Sequence, residues 1–124
     1  MTILVDSDVL IEVSRGRDAG IVHAWTQLAG SSDAILCSPV SVAELWHGAL
    51  PKEHQLLTKL FASLVCVTIG SETGRLAGEY LRRFAKSHGV ELGDALIAAS
   101  ATEHQATLWT RNRKHYPMKG LAFY

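Results

Sequence analysis

Two cysteines and three prolines are all that the 124 residues hold, so neither a disulfide scaffold nor a proline-rich linker organises this chain. Cys37 and Cys66 each lie within an apolar run, which suits two reduced core thiols better than a zinc site. The six histidines include no pair at H-x-x-x-H or similar spacing, again against zinc, and no Ser-His-Asp order can be assembled from them. Neither sign of charge is in excess: 12 Lys+Arg balance 12 Asp+Glu, which excludes a polybasic nucleic-acid coat or a membrane-surface binder. No apolar run approaches membrane-spanning length. The N-terminus meets an acid at Asp6 after Ile3-Leu4-Val5, so no signal peptide is expected and a cytoplasmic location is. Repeats and low-complexity tracts are missing as well.

What is present is the usage of a folded domain, 48% apolar and 19% charged. A chain of 13.5 kDa folds to about 6,500 Å² of accessible surface from about 19,600 Å² extended, so residues 1–124 are expected to form a single domain. The charges are unevenly placed: residues 1–70 carry 4 basic and 7 acidic side chains, residues 71–124 carry 8 and 5. That leaves room for a local basic patch.

Short β-branched or apolar runs predict strands at Ile3–Val5, Ala34–Cys37, Leu64–Thr68 and Thr107–Thr110, with Leu121–Tyr124 as a short fifth. Between them, apolar residues at helical spacing predict helices over Ser7–Val13, Asp18–Gly30, Ser41–Gly48, Glu53–Ser63, from Ser71 to the break at His88-Gly89, and Leu92–His104. The last is apolar almost all round and should be deeply packed. Strands separated by helical segments cannot be hairpins, so the expected fold is α/β, a three-layer α/β/α sandwich around a mainly parallel sheet of four to five strands. Ligands in such sheets gather at the strand carboxyl ends.

Acids stand at that rim. Asp6 and Asp8 follow the first strand, Glu44 lies in Ser41-Val42-Ala43-Glu44, and Asp94 borders the apolar run after Leu92. Each has a plain reading as a helix cap; Ser41-x-x-Glu44 fits a capping box. Together they read differently, because Asp6, Glu44 and Asp94 come from three segments, and clustered carboxylates repel unless a cation neutralises them. Oxygen ligands without a Cys or His cluster favour Mg²⁺ or Mn²⁺, and such an ion suits phosphodiester hydrolysis.

Four motifs in order, Ile3-Leu4-Val5-Asp6-Ser7-Asp8-Val9-Leu10-Ile11, Ser41-Val42-Ala43-Glu44-Leu45-Trp46-His47-Gly48-Ala49, Gly93-Asp94-Ala95-Leu96-Ile97-Ala98-Ala99 and Leu108-Trp109-Thr110-Arg111-Asn112-Arg113-Lys114-His115-Tyr116, resemble those of the PIN-domain ribonucleases. Among these the chain looks like the VapC-type toxins of toxin-antitoxin pairs, and the resemblance covers essentially all of it. It implies that Asp6, Glu44 and Asp94 are the catalytic metal-binding residues of an endoribonuclease, that Thr110 and Asn112 complete the site, and that Asp8 supports it. His115 stands where many relatives have a fourth acid, which implies one tightly held ion rather than two. An RNA substrate such as tRNA or rRNA, a cognate antitoxin and a homodimer are implied too.

Arg111, Arg113 and Lys114, with Lys119, follow the fourth strand and are candidates to clamp RNA phosphates; Arg15 and Arg17 are a second set. Trp46, Leu50, Leu56, Leu57, Leu60 and Phe61 exceed what one helix stripe needs. Most are expected in the core, and the resemblance implies a groove there for an antitoxin helix. Two enzyme rivals fail on the sequence. A haloacid-dehalogenase-type phosphatase also begins with D-x-D but needs a larger core and a later Lys. A receiver domain needs a phospho-acceptor Asp where Val67-Thr68-Ile69-Gly70 stands. The remaining alternative is a catalytically weak or inactive PIN-fold module that binds RNA or a partner.

Overall fold

The computed structural model describes residues 1–124. Four strands, β1 (Thr2–Val5), β2 (Ala34–Cys37), β3 (Val65–Cys66) and β4 (Thr107–Trp109), form one sheet in the order β3-β2-β1-β4. Every pairing is parallel, with Ile3 beside Ile35 and Thr107, and Leu36 beside Val65. Six α-helices make the crossovers: α1 (Ser7–Arg15), α2 (Ala19–Ala29), α3 (Pro39–His47), α4 (His54–Ala62), α5 (Ser71–His88) and α6 (Leu92–Glu103).

Alternation along the strands divides the interior. Ile3, Val5, Cys37 and Trp109 point to a core shared with Val9, Leu10, Leu28, Leu45, Leu57 and Leu60 of α1 to α4. Leu4, Leu36 and Leu108 point the other way, onto Ala77 of α5 and the small residues Ala95, Ala98, Ala99 and Ala101 of α6. The result is the three-layer sandwich expected from the sequence, with a fully parallel sheet of four strands. Because the chain moves outward from β1 to β2 and β3 and then returns to place β4 on the opposite side of β1, the strand order switches between β1 and β4. A crevice opens at that point beyond the carboxyl ends.

Two glycines, one at a turn and one at a close approach, aim α6 at the crevice. Gly89 takes the left-handed conformation, φ +66°, that ends α5 and lets the chain reverse. At Gly93, a Cβ would sit 3.3 Å from Val40 Cγ1, so the absent side chain admits the start of α6 against α3.

Several details differ from the sequence reading. The third strand is not Leu64–Thr68 but only Val65–Cys66, both exposed, because it is the sheet edge and pairs on one side alone. Cys66 is consequently not a core thiol, whereas Cys37 is buried. The terminal segment Leu121–Tyr124 makes one isolated parallel bridge, Leu108 to Phe123, instead of a fifth strand. The helix expected from Ser41 starts at Pro39: Ser38 is its N-cap, its Oγ accepting from Val40 N–H at 3.1 Å, and Pro39 needs no partner at the first helical position. Glu44 therefore lies well inside α3 and belongs to no capping box.

Candidate active site

Asp6 ends β1 and caps α1. One carboxylate oxygen, Oδ1, accepts the Ser7 N–H at 2.7 Å, while Oδ2 accepts the Thr110 hydroxyl at 2.8 Å and the Tyr116 hydroxyl at 2.9 Å. Its backbone N–H continues the ladder to Trp109 C=O at 2.9 Å. Capping and a role at the site do not compete, because an ionised carboxylate offers about four acceptor positions. The phenol of Tyr116 is held above its ordinary value by burial and, next, by the Asp6 charge, so it stays a donor.

Asp8, in the first turn of α1, accepts the Arg111 N–H through Oδ2 at 3.1 Å. Its other oxygen, Oδ1, is buried and has no hydrogen-bond partner. Burial first, and Asp6 second, push its carboxyl up to about 6. Glu44 projects from α3, its Oε1 2.8 Å from the Ser7 hydroxyl. Asp94 caps the start of α6, accepting Glu91 N–H at 3.1 Å, and stands 3.6 Å from His115 Nδ1. Burial raises its carboxyl too. Asn112 Nδ2 lies 3.2 Å from the same His115 nitrogen.

These groups meet. Asp6, Asp8, Glu44 and Asp94 all line a single cavity of about 230 Å³, together with Glu91, Asn112, His115 and Tyr116. Lysine and arginine side chains are missing from that lining. No three of the acids and histidines converge tightly enough to hold a metal ion as they stand; an ion held here would draw the carboxylates inward or keep part of its water shell, as Mg²⁺ does. The donor set still fits a hard divalent cation: it is rich in carboxylate oxygen and includes a buried oxygen with no donor of its own.

The carboxyl of Asp8 has a consequence for stability. An acid whose value is raised in the fold binds its proton more tightly there than in the unfolded chain, so this group's contribution falls as pH rises from about 4 to about 6. Asp8→Asn retains an acceptor for Arg111 N–H and removes the charge. In chelator at pH 7 the variant should be more stable by about 1 kcal/mol, after allowance for solvent screening of this half-buried group. The gain should vanish near pH 4. Urea unfolding at both pH values checks this, and equal stabilities at pH 7 would contradict it.

The structure gives the expected RNA-clamping arginines other work. Arg111 reaches Glu12 at 3.3 Å and Asp18 at 3.8 Å, and Arg17 pairs with Glu12 at 2.7 Å. Arg17 holds the Glu12 carboxyl below its ordinary value. Arg113 lies over the Phe123 ring at 5.0 Å and donates to Tyr124 C=O at 3.4 Å. Lys114, Lys119 and Arg15 are exposed and make no ion pair. Glu91, Tyr116 and Ser7 of the cavity escaped the sequence reading. Tyr116 was present as the last position of the fourth motif, and Ser7 as the hydroxyl between two acids.

The chain matches known proteins over nearly all of its length. The PIN domain family matches residues 3–121. A Mycobacterium tuberculosis protein named Ribonuclease VapC10 is 39% identical over 117 residues, covering 94% of this chain and 86% of that one. Ribonuclease VapC19 of the same organism is 31% identical over 116 residues, covering 93% and 92%. In fold, the chain is similar to the crystal structure of VapBC2 from Rickettsia felis bound to a promoter DNA fragment, with TM-score 0.79, 23% identity and coverage of 100% and 98%.

Proposed function

The chain belongs to the PIN domain family, and from that premise we propose that it is a ribonuclease toxin, hydrolysing RNA phosphodiester bonds at the carboxylate-lined cavity and inhibited by a cognate antitoxin. The observation that carries this is the gathering of Asp6, Asp8, Glu44 and Asp94 around one cavity at the strand switch. The ribonuclease names of the relatives support the activity, and the toxin-antitoxin complexes among similar structures support the partner.

The reading further takes the enzyme to be a metal-dependent endoribonuclease. Asp6, Glu44 and Asp94 would hold Mg²⁺ or Mn²⁺, with Asp8 close enough to share the charge. The bound ion would supply Lewis acidity at the phosphoryl oxygen and a more acidic water. The remaining groups have supporting tasks. Thr110 and Tyr116 fix the Asp6 rotamer by donating to one oxygen, and Asn112 engages His115 at the edge of the cavity. The Arg111 backbone N–H secures Asp8. With Arg111, Arg113 and Arg17 engaged by the protein's own groups, Lys114, Lys119 and Arg15 are the candidate cations left to meet RNA phosphates.

Part of the surface expected to receive an antitoxin helix is exposed on α3, α4 and the turn between them: Trp46, Leu50 and Leu56, whereas Leu57 and Leu60 are core. A homodimer and a cytoplasmic location complete the proposal, with tRNA or rRNA as substrates to try first. Purified protein incubated with total RNA should give discrete fragments with Mg²⁺ or Mn²⁺ and none with EDTA. Metal-dependent RNA binding without cleavage, in a preparation free of antitoxin, would favour the inactive binding module.

A further inference from the structure

Ser7 is buried between Asp6 and Asp8, and its hydroxyl has two partners at the same distance, Ser41 Oγ and Glu44 Oε1, each at 2.8 Å. A hydroxyl carries one proton. The Ser7 hydroxyl is placed to donate to either; when Glu44 is ionised it can only accept and takes that proton, which leaves the rotatable Ser41 hydroxyl to donate to Ser7. The fully buried Ser41 is three residues before Glu44 on α3, so both face the same way. The chain Ser41 to Ser7 to Glu44 thus joins the start of α1 to the middle of α3, using segments 34 and 37 residues apart. Glu44 has no Lys, Arg or His partner, and its one side-chain hydrogen bond is to Ser7. An unrestrained glutamate would lose considerable rotamer freedom on binding an ion. Held through Oε1, its other oxygen is free for the cavity.

We propose that Ser7 is a positioning residue, whose hydroxyl, oriented by Ser41, holds the Glu44 carboxylate toward the shared cavity and so sets the divalent-cation affinity of the site. This rests on the metal-dependent reading above. The Ser7 hydroxyl contributes no charge and would reach the ion only through Glu44, while the Ser7 N–H on Asp6 is untouched by a side-chain substitution, so the effect should disappear once Glu44 cannot respond.

The test is Mn²⁺ binding to the full chain without RNA, followed by electron paramagnetic resonance, with melting in EDTA as a fold control. Ser7→Ala should weaken Mn²⁺ binding about 10-fold or more, and Ser7→Thr, which keeps the hydroxyl, should recover most of it. Glu44→Gln should weaken binding at least as much, and adding Ser7→Ala to it should change nothing further. Unaltered binding in Ser7→Ala beside weakened binding in Glu44→Gln overturns the role of Ser7 and leaves the metal site standing. Additive losses overturn it as well, by routing the effect around Glu44. Unaltered binding in both variants removes Glu44 from the metal site and overturns the proposal with it. If Ser7→Ala fails to melt cooperatively in EDTA, Ser41→Ala serves instead, with a loss of about 3-fold expected from its indirect position and wild-type binding counting against the relay.

Discussion

Asp94→Asn should reduce RNA cleavage by more than about 100-fold, beyond the loss typical of residues that only support a metal ligand, while the protein melts at or slightly above the wild-type temperature. The substitution keeps an acceptor for Glu91 N–H, the bond that caps α6. It also removes a charge that burial disfavours and that Asp6 and Glu91 in the same lining repel, against the loss of its 3.6 Å approach to His115, so the folded state sheds mainly a desolvation penalty. Fragment yield from total RNA and a thermal melt on the same preparation measure both effects. Activity within a few-fold of wild type would remove Asp94 from the site.

Asp6→Asn should be equally inactive but should also lose about 2 kcal/mol of stability. Both oxygens of Asp6 accept: Oδ1 from Ser7 N–H, Oδ2 from Thr110 and Tyr116. An amide offers one accepting end, so in either orientation its NH₂ faces a donor, and a buried donor left unpaired costs about 1–3 kcal/mol. Adding Tyr116→Phe to Asp6→Asn removes one of the stranded donors and should cost less than Tyr116→Phe does in the wild type. Urea unfolding of the four proteins gives this coupling directly. Two acids of one cavity are thereby predicted to separate, one replaceable without structural loss and one not.

Much of this was legible in the sequence, for a physical reason. β1, β2 and β4 contain Ile3-Leu4-Val5, Leu36-Cys37 and Leu108-Trp109, buried on both sides of the sheet, and continuous apolar runs announce such strands. β3 has one strand neighbour and exposed residues, so its apolar run overstated both its length and the burial of Cys66. Around Glu44, local pattern misled: Ser41-x-x-Glu44 has the letters of a capping box, but Ser38-Pro39 starts the helix earlier and frees Glu44 for the cavity. The acids at the strand ends could be named from the sequence because topology alone brings them to one rim. The partners of Arg111 could not be, since Glu12 and Asp18 lie about a hundred residues earlier and only the finished sheet places them alongside. The same holds for Tyr116 on Asp6.

Those last contacts tie the beginning of the chain to its end. Asp6 finds its hydroxyl partners 104 and 110 positions later, and β4, the strand that closes the crevice, occupies Thr107–Trp109. Until that segment is made, β1 lacks its β4 neighbour, and Asn112 and His115 are absent from the rim. The carboxylate cavity is therefore assembled only once residues as far as Tyr116 have folded back onto β1, so no shorter N-terminal fragment carries it.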